Sequence, residues 1–553
     1  MIEFDPVLVH EWLRRAARRV PEKDAIVCGP ERWSYKKLDA ASDRLAEVVV
    51  DWGIGRQDRV AILTGNCAET VVSLYGTLKA GGVFVILEGS TKARRLEYVL
   101  KNSGAKILVA RREQAPVVRE ALAGLARDLR IVWVGGPTGT GGHPSVPGVS
   151  WDSIFSAPAA GGAAADAVPT ARLPRCIDID LASLIYTSAT TGDPKGVMCT
   201  HHNMISAARS IIQYLGNRED DIILDALPLS FDYGLYQVLM AVMFGGTVVL
   251  EPSFVYLHNI LQRIVDERVT GFPIVPTMVA MLLKMRDLGG YDLSRLRYLT
   301  NTGAALPVPH IRRLRQLLPH VTIFSMFGLT ECKRVGYLDP SELERRPGSV
   351  GNAMPNCEVF VVDENGNEVG PGQVGELLIR GSNVMQGYWN DPEMTAKVYR
   401  PGPYPASRWL HSGDDFRRDD DGFLYFLGRK DDMIKTRGER VSPKEVENVI
   451  CELEDVAEVA ALGLPDEILG QAIKVFIVSR TRAGDKQAVL RHCASRMEPF
   501  MVPKYIEFVE ALPRTAHGKI NKRQLQATEL VETRSTTAQG QMNKRELQAV
   551  EER

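Results

Sequence analysis

A chain of 553 residues is too long for one hydrophobic core, so two or more domains are expected. Its 67 Lys plus Arg nearly balance 68 Asp plus Glu, a net charge of −1, which excludes the global basic field of a nucleic-acid-binding protein. The eight cysteines stand singly, with no Cys-x-x-Cys pair and no Cys/His cluster; this speaks against a zinc site or a disulfide framework and fits a reducing, cytoplasmic setting.

Residues 1–20 carry Glu3, Asp5 and Glu11 among apolar positions and read as a short amphipathic helix, not a secretory signal. From residue 33 to 87, helical patterns alternate with the apolar runs 60–63 and 83–87, the wiring of an α/β unit with a buried, largely parallel sheet. Residues 135–148 and 157–174 are rich in Gly, Pro and Ala without periodicity and are expected as surface loops. Residues 184–186 read as the end of a buried strand. Thr187, Ser188, Thr190, Thr191, Gly192, Lys195 and Gly196 then crowd into the next ten positions. A glycine-containing turn can point several N–H groups inward as a nest for phosphate oxygens, and Lys195 adds a full positive charge. The spacing departs from the P-loop, because Pro194 precedes the lysine and no Ser or Thr follows it. A plain polar turn is the alternative.

The α/β alternation resumes at 247–250, 296–299 and 321–324. The longest apolar run, 238–250, is broken by Gly245 and Gly246 and is too short to span a bilayer. Phe327 to Glu331 follow an apolar strand, so Thr330 and Glu331 sit at a strand's carboxyl end, where open α/β sheets bind ligands. After Asn356 the texture becomes that of β-hairpins. Asp414 follows a predicted glycine turn at Gly413, a placement suited to bridging two ribose hydroxyls, although Asp is common in turns generally. A boundary is expected near 428–432. Beyond it a compact α+β unit opens with a capping box: Ser442 as N-cap, Pro443 at N1, Glu445 at N3. Lys519 lies in a glycine turn, and the segment 521–527 recurs as 543–549 in a charged tail too short to form a solenoid.

In chain order, the motifs YTSATTGDPKGV, FGLTE, GYW, SGD, GRKDDMIKTRGER and PRTAHGKI resemble those of the acyl-adenylate-forming superfamily, which includes acyl-CoA synthetases, amino-acid adenylation enzymes and luciferases. The resemblance covers residues 33–525. It implies a large domain, 1–430, of layered parallel-rich sheets with helices and a β-rich subdomain, then a small mobile α+β domain, 431–528, and the tail 529–553. The implied reaction joins a carboxylic acid to ATP, giving an acyl-adenylate and pyrophosphate; a thiol then displaces AMP. Preorganised donors and cations would carry both steps.

On this resemblance Thr187, Ser188, Thr190, Thr191, Gly192 and Lys195 would cradle the β- and γ-phosphates, Thr330 would hold the α-phosphate, and Glu331 would hold Mg²⁺. Gly303, Ala304 and Ala305 would line adenine and Phe327 would stack on it, while Asp414 and Arg429 would grip the ribose. Lys519 would bridge the substrate carboxylate and nucleotide. Asp431 would be the hinge, and Gly438 would line the pantetheine tunnel. The implied partners are ATP, Mg²⁺, a small carboxylic or amino acid, and CoA or the phosphopantetheine of a separate carrier protein, since the chain shows no carrier segment of its own. Neither nucleic acid nor a membrane span is expected.

Three residues depart from the family pattern. Ala189 stands where Gly is usual, Phe327 where Tyr is usual, and Phe231 with Asp232 where many acyl-CoA synthetases have an aromatic–histidine pair. The Phe231-Asp232 pair resembles that of amino-acid adenylating enzymes, in which the aspartate meets the substrate ammonium; a carboxylate in an acyl pocket needs such a cation. Alternatively Asp232 N-caps a helix starting near Tyr233, and the substrate is an acyl or aryl acid. Cys332, Lys333 and Arg334 either shape the far pocket wall or form a basic surface loop. The competing functions are adenylate or acyl binding with little catalysis, adenylation without CoA transfer, and an oxidative, luciferase-like use of the adenylate.

Overall fold

The computed structural model describes residues 5–125, 129–135, 146–156, 173–187, 193–285, 288–304, 306–402, 404, 407–430, 432–436, 439–466, 469–481, 484–515, 519–522 and 524–528. Most of both expected loop stretches and the repeated tail lie outside them.

Apolar runs flanked by amphipathic helices build two sheets in the N-terminal part. In the first, Arg59–Leu63, Val83–Ile86, Ile107–Arg111, Arg130–Val134 and Leu181–Tyr186 run parallel, and Gly196–Thr200 closes one edge antiparallel. Successive side chains of a strand point to opposite faces, and this sheet is covered on both. Val60 and Ile62 therefore enter one core, while Ala61 and Leu63 enter another on the far side.

The second sheet has a parallel centre made of Ile222–Asp225, Thr247–Leu250, Gly271–Ile274, Tyr298–Asn301 and Thr322–Phe327. Gly336–Leu338 and Ser349–Ala353 continue it antiparallel into Leu424–Arg429, Arg408–Arg418, Val374–Gly381 and Cys357–Val362. The expected β-rich subdomain is thus hydrogen-bonded to the parallel layer as one continuous sheet. Gly351 sits at the junction with φ +82°, and a Cβ there would fall 1.7 Å from the Tyr337 carbonyl oxygen, so no other residue fits.

From Ile434 onward the chain forms a smaller sheet with its own core, including Ile434, Val446, Ile450, Val475 and Ile477. The fold is mixed α/β, with a large N-terminal sheet domain and a smaller C-terminal domain. The helix Pro443–Ile450 starts as expected, with Ser442 Oγ accepting from Glu445 N at 3.2 Å. The return arm of the expected capping box does not form. Instead Ser442 donates to the Leu427 carbonyl, tying this helix back to the large sheet. No helix among the described residues is long and apolar enough to cross a membrane.

Candidate active site

Leu181–Tyr186 and Gly196–Thr200 form a hairpin whose neck is closed by Thr187 N donating to the Lys195 carbonyl at 3.0 Å. The candidate phosphate loop therefore joins two antiparallel strands. Ser188, Ala189, Thr190, Thr191 and Gly192 lie outside the described residues. The outer strand is extended by residues 386–389: Gln386 N donates to Met198 O at 2.9 Å, Met198 N to Gly387 O at 3.0 Å, and Trp389 N to Gly196 O at 2.7 Å. Gly196 permits this approach, because a Cβ would lie 3.3 Å from Trp389 Cβ and 3.1 Å from the Tyr186 ring. The pairing carries Tyr388 to within 5.4 Å of the Lys195 ammonium and lets its hydroxyl donate to Glu331 Oε1 at 2.7 Å.

Thr330 and Glu331 follow the carboxyl end of Thr322–Phe327, as expected. The Thr330 carbonyl accepts from Lys333 Nζ at 2.8 Å. Phe327 at the strand end packs edge-on to Phe416, centroids 5.0 Å apart, and stacks with Phe426 at 5.7 Å. On the neighbouring strand, Tyr298–Asn301, the chain leaves through Gly303 (φ +82°), and Asn301 Nδ2 donates to the Ala304 carbonyl at 3.1 Å. Ala305 lies outside the described residues.

Asp414 departs from its predicted setting. It lies inside the continuous strand Arg408–Arg418, and Gly413, at φ +69°, makes an irregularity within the strand instead of a turn between elements. Its partner across the ladder is Arg429, with Nε 3.1 Å from Asp414 Oδ1. The carboxyl is 2% exposed, and Oδ1 has no aligned hydrogen bond despite that proximity. Burial pushes the Asp414 carboxyl up to about 7, against the pull of Arg429. Such an orphaned acceptor fits a pair of hydroxyl donors.

Lys519, from the smaller domain, reaches this site. Its ammonium lies 5.7 Å from the Phe231 ring centroid, and Gly303 leaves room for both, since a Cβ there would be 3.6 Å from Lys519 Cε and 3.4 Å from Phe231 Cζ. The side chain keeps contact with solvent but is crowded by protein. That desolvation lowers its pKa, while Asp232, Asp414 and Glu331 pull it back up. Asp232 is the first residue of the helix Asp232–Phe244, and Phe231 holds the N-cap position. Asp232 is 7% exposed and has no hydrogen bond or ion pair among the described residues, so it does not cap the helix. Asp431 and Gly438 lie outside the described residues.

The basic surface loop weighed for residues 332–334 is not what forms: Lys333 and Arg334 are 4% and 3% exposed. Sequence reasoning passed over Tyr388, although its GYW motif was visible.

The chain belongs to the AMP-binding enzyme family. The family model "AMP-binding enzyme" matches residues 13–389, and the "AMP-binding enzyme C-terminal domain" model matches residues 445–519. Among similar proteins is the indoleacetate–CoA ligase of Aromatoleum aromaticum, 32% identical across 94% of this chain and 98% of that one. A solved anthranilate CoA ligase in complex with anthranoyl-AMP is 26% identical, with a TM-score of 0.85 over 96% of this chain and 99% of the other. ATP-bound MatB from Rhodopseudomonas palustris is 27% identical, with a TM-score of 0.82 over 94% and 98%. The protein is an AMP-forming acyl-CoA ligase, using ATP and CoA on a small acid.

Proposed function

We propose that the acid activated carries an ammonium group read by Asp232. One observation carries the proposal: a buried carboxylate on the first turn of its helix that neither caps the helix nor forms a hydrogen bond or ion pair among the described residues, beside Phe231 and with the Lys519 ammonium within electrostatic reach but not in contact. The helix dipole favours an anion at this position, but by no more than about 1–2 kcal/mol, less than the several kcal/mol that an unpaired buried charge costs. A substrate ammonium would supply a direct ion-pair partner.

In this reading the substrate carboxylate attacks the α-phosphorus of ATP, a P–O bond forms, and pyrophosphate leaves. Thr187, Ser188, Thr190, Thr191, Gly192 and Lys195 hold the β- and γ-phosphates, Thr330 the α-phosphate, and Asp414 with Arg429 the ribose. Adenine lies between Phe327 and the backbone of Gly303, Ala304 and Ala305. Lys519 holds the substrate carboxylate against the nucleotide, gathering two anions that otherwise repel. Glu331 offers a hard oxygen ligand of the kind Mg²⁺ takes, and its hydrogen bond from Tyr388 fixes its orientation. In the second step the thiolate of CoA, or of a carrier-protein phosphopantetheine, attacks the acyl carbon and AMP departs. The domain 431–528 turns about Asp431 between the steps, and Gly438 lines the thiol's path to the large domain, 1–430. The protein acts in the cytoplasm.

A pyrophosphate–ATP exchange screen pairing amino acids with their deaminated analogues tests the assignment. Amino-bearing acids should be preferred, and Asp232→Ala should erase that preference. A native preference for uncharged acyl chains would sink it. Lys519→Ala should slow adenylation by roughly 100-fold or more while sparing thioester formation from a presynthesised adenylate; equal loss of both steps would show its role to be misassigned.

A further inference from the structure

Three residues beyond Glu331 the chain buries a guanidinium. Gly328 makes the fold possible: the loop closes so tightly that a Cβ at Gly328 would fall 2.2 Å from the Lys333 carbonyl oxygen, and Lys333 adopts φ +65° with its N–H donating to Leu329 O at 2.6 Å. The loop drives both basic side chains inward. Lys333 Nζ donates to the Thr330 carbonyl at 2.8 Å. Arg334 forms no ion pair among the described residues; its guanidinium bonds the Tyr214 hydroxyl, and its Nε has no hydrogen-bond partner.

Elsewhere the protein treats a buried cation differently. Lys79, also buried, is held between Asp39 at 2.5 Å and Asp43 at 2.9 Å. Arg334 faces tyrosines instead: its guanidinium carbon lies 5.3 Å from the Tyr233 ring centroid, and it also acts on the hydroxyls of Tyr214 and Tyr236. Cation–π contact offsets only about 1–2 kcal/mol of the several that desolvating a charge costs. The carboxyl of Asp225, near Tyr233, is pushed well above its usual range by burial and is a poor counter-charge.

The position of this cation gives it meaning. Tyr236 is one helical turn beyond Asp232 on the same face. Its hydroxyl has no hydrogen-bond partner and feels both Asp232 and Arg334. Two buried charges of opposite sign thus approach one tyrosine, Asp232 from the helix and Arg334 from the loop that carries Thr330 and Glu331. Thr302, next to Gly303, adds another orphaned buried hydroxyl.

We infer that Arg334, with Tyr236, is a specificity site for a second carboxylate on the acid being activated, distal to the carboxylate that attacks ATP. The guanidinium fork suits a carboxylate, and its Nε is available. This deepens the acid-activating reading of the site; combined with the Asp232 assignment it describes an amino dicarboxylic acid.

The test is pyrophosphate–ATP exchange with four-member sets on short aliphatic and benzoic scaffolds: the plain acid, its amino form, its second-carboxylate form, and the form bearing both. The native enzyme should favour second-carboxylate members over their plain counterparts by about 100-fold or more in kcat/KM. Arg334→Met should reverse that order, and Arg334→Lys should weaken it by keeping charge without the fork. Asp232→Ala should change only the amino preference, so the two assignments fail separately. The inference is overturned if plain acids win in the native enzyme, if Arg334→Met slows every member equally, or if no member supports exchange. Should Arg334→Met not fold, the native preference and Arg334→Lys decide.

Discussion

Asp414 illustrates how burial sets chemistry at a single residue. Its carboxyl is nearly closed off from water, its ion-pair partner Arg429 lacks hydrogen-bond alignment, and its pKa rises to about 7. Below about pH 4 the group is protonated in both folded and unfolded chains, and its contribution to stability is fully present. Between there and about 7 the unfolded chain gives up the proton while the folded chain keeps it, so stability falls as pH rises through this window. The melting temperature of the nucleotide-free protein should carry a component that declines toward neutral pH, and Asp414→Asn should flatten it. On the proposed ribose assignment, hydroxyl donors would stabilise the carboxylate, so nucleotide binding below neutral pH should release a proton, measurable by calorimetry in buffers of different ionisation enthalpy. Asp414→Asn should abolish that release and weaken ATP binding by about tenfold or more.

At the scale of elements, the hairpin around the candidate phosphate loop is held from outside. Residues 386–389 pair with its outer strand, and Tyr388 links the Lys195 side of the site to Glu331. Tyr388→Phe retains the ring beneath Lys195 but removes the bond to a charged acceptor. A loss of about 10- to 100-fold in kcat/KM is expected, with a higher Mg²⁺ requirement, measured by pyrophosphate exchange against Mg²⁺ concentration. An unchanged Mg²⁺ dependence would show that the tyrosine does not orient Glu331.

For the whole molecule, what matters is how the smaller domain delivers Lys519. Arg514, five residues earlier, donates to Thr277 Oγ1 of the large domain at 2.5 Å and to Glu458 of its own domain at 2.6 Å. Arg514→Ala should therefore slow adenylation by about tenfold, because docking is a gating step, while thioester formation from supplied adenylate continues. Equal slowing of both half-reactions would mean that Arg514 serves stability alone.

Much of this was legible in the linear chain. The apolar runs at 60–63, 83–87 and 247–250 became strands because burial on both faces demands continuous apolar character, a local property. Thr330, Glu331 and Lys519 could be singled out because each sits in a short motif whose residue types suit phosphate and carboxylate. Asp414 was singled out for its chemistry and expected in a turn, but it lies within a strand, since a glycine at positive φ looks alike in a turn and in a strand irregularity. The capping box was half right: Ser442 accepts from Glu445 N as expected, while its hydroxyl donates outside its own helix, to Leu427.

By itself the sequence determined the class of reaction and the order of the elements, because motif chemistry and hydrophobic period are written within a few residues of one another. The tertiary structure decided which charges are left without partners. Tyr388 meets Glu331 across 57 positions of chain. Arg334 reads equally as pocket wall or surface loop until a turn that only Gly328 permits buries it. Burial and ion pairing depend on what the rest of the chain brings alongside, so the selectivity of the acid pocket emerges only once the chain is folded.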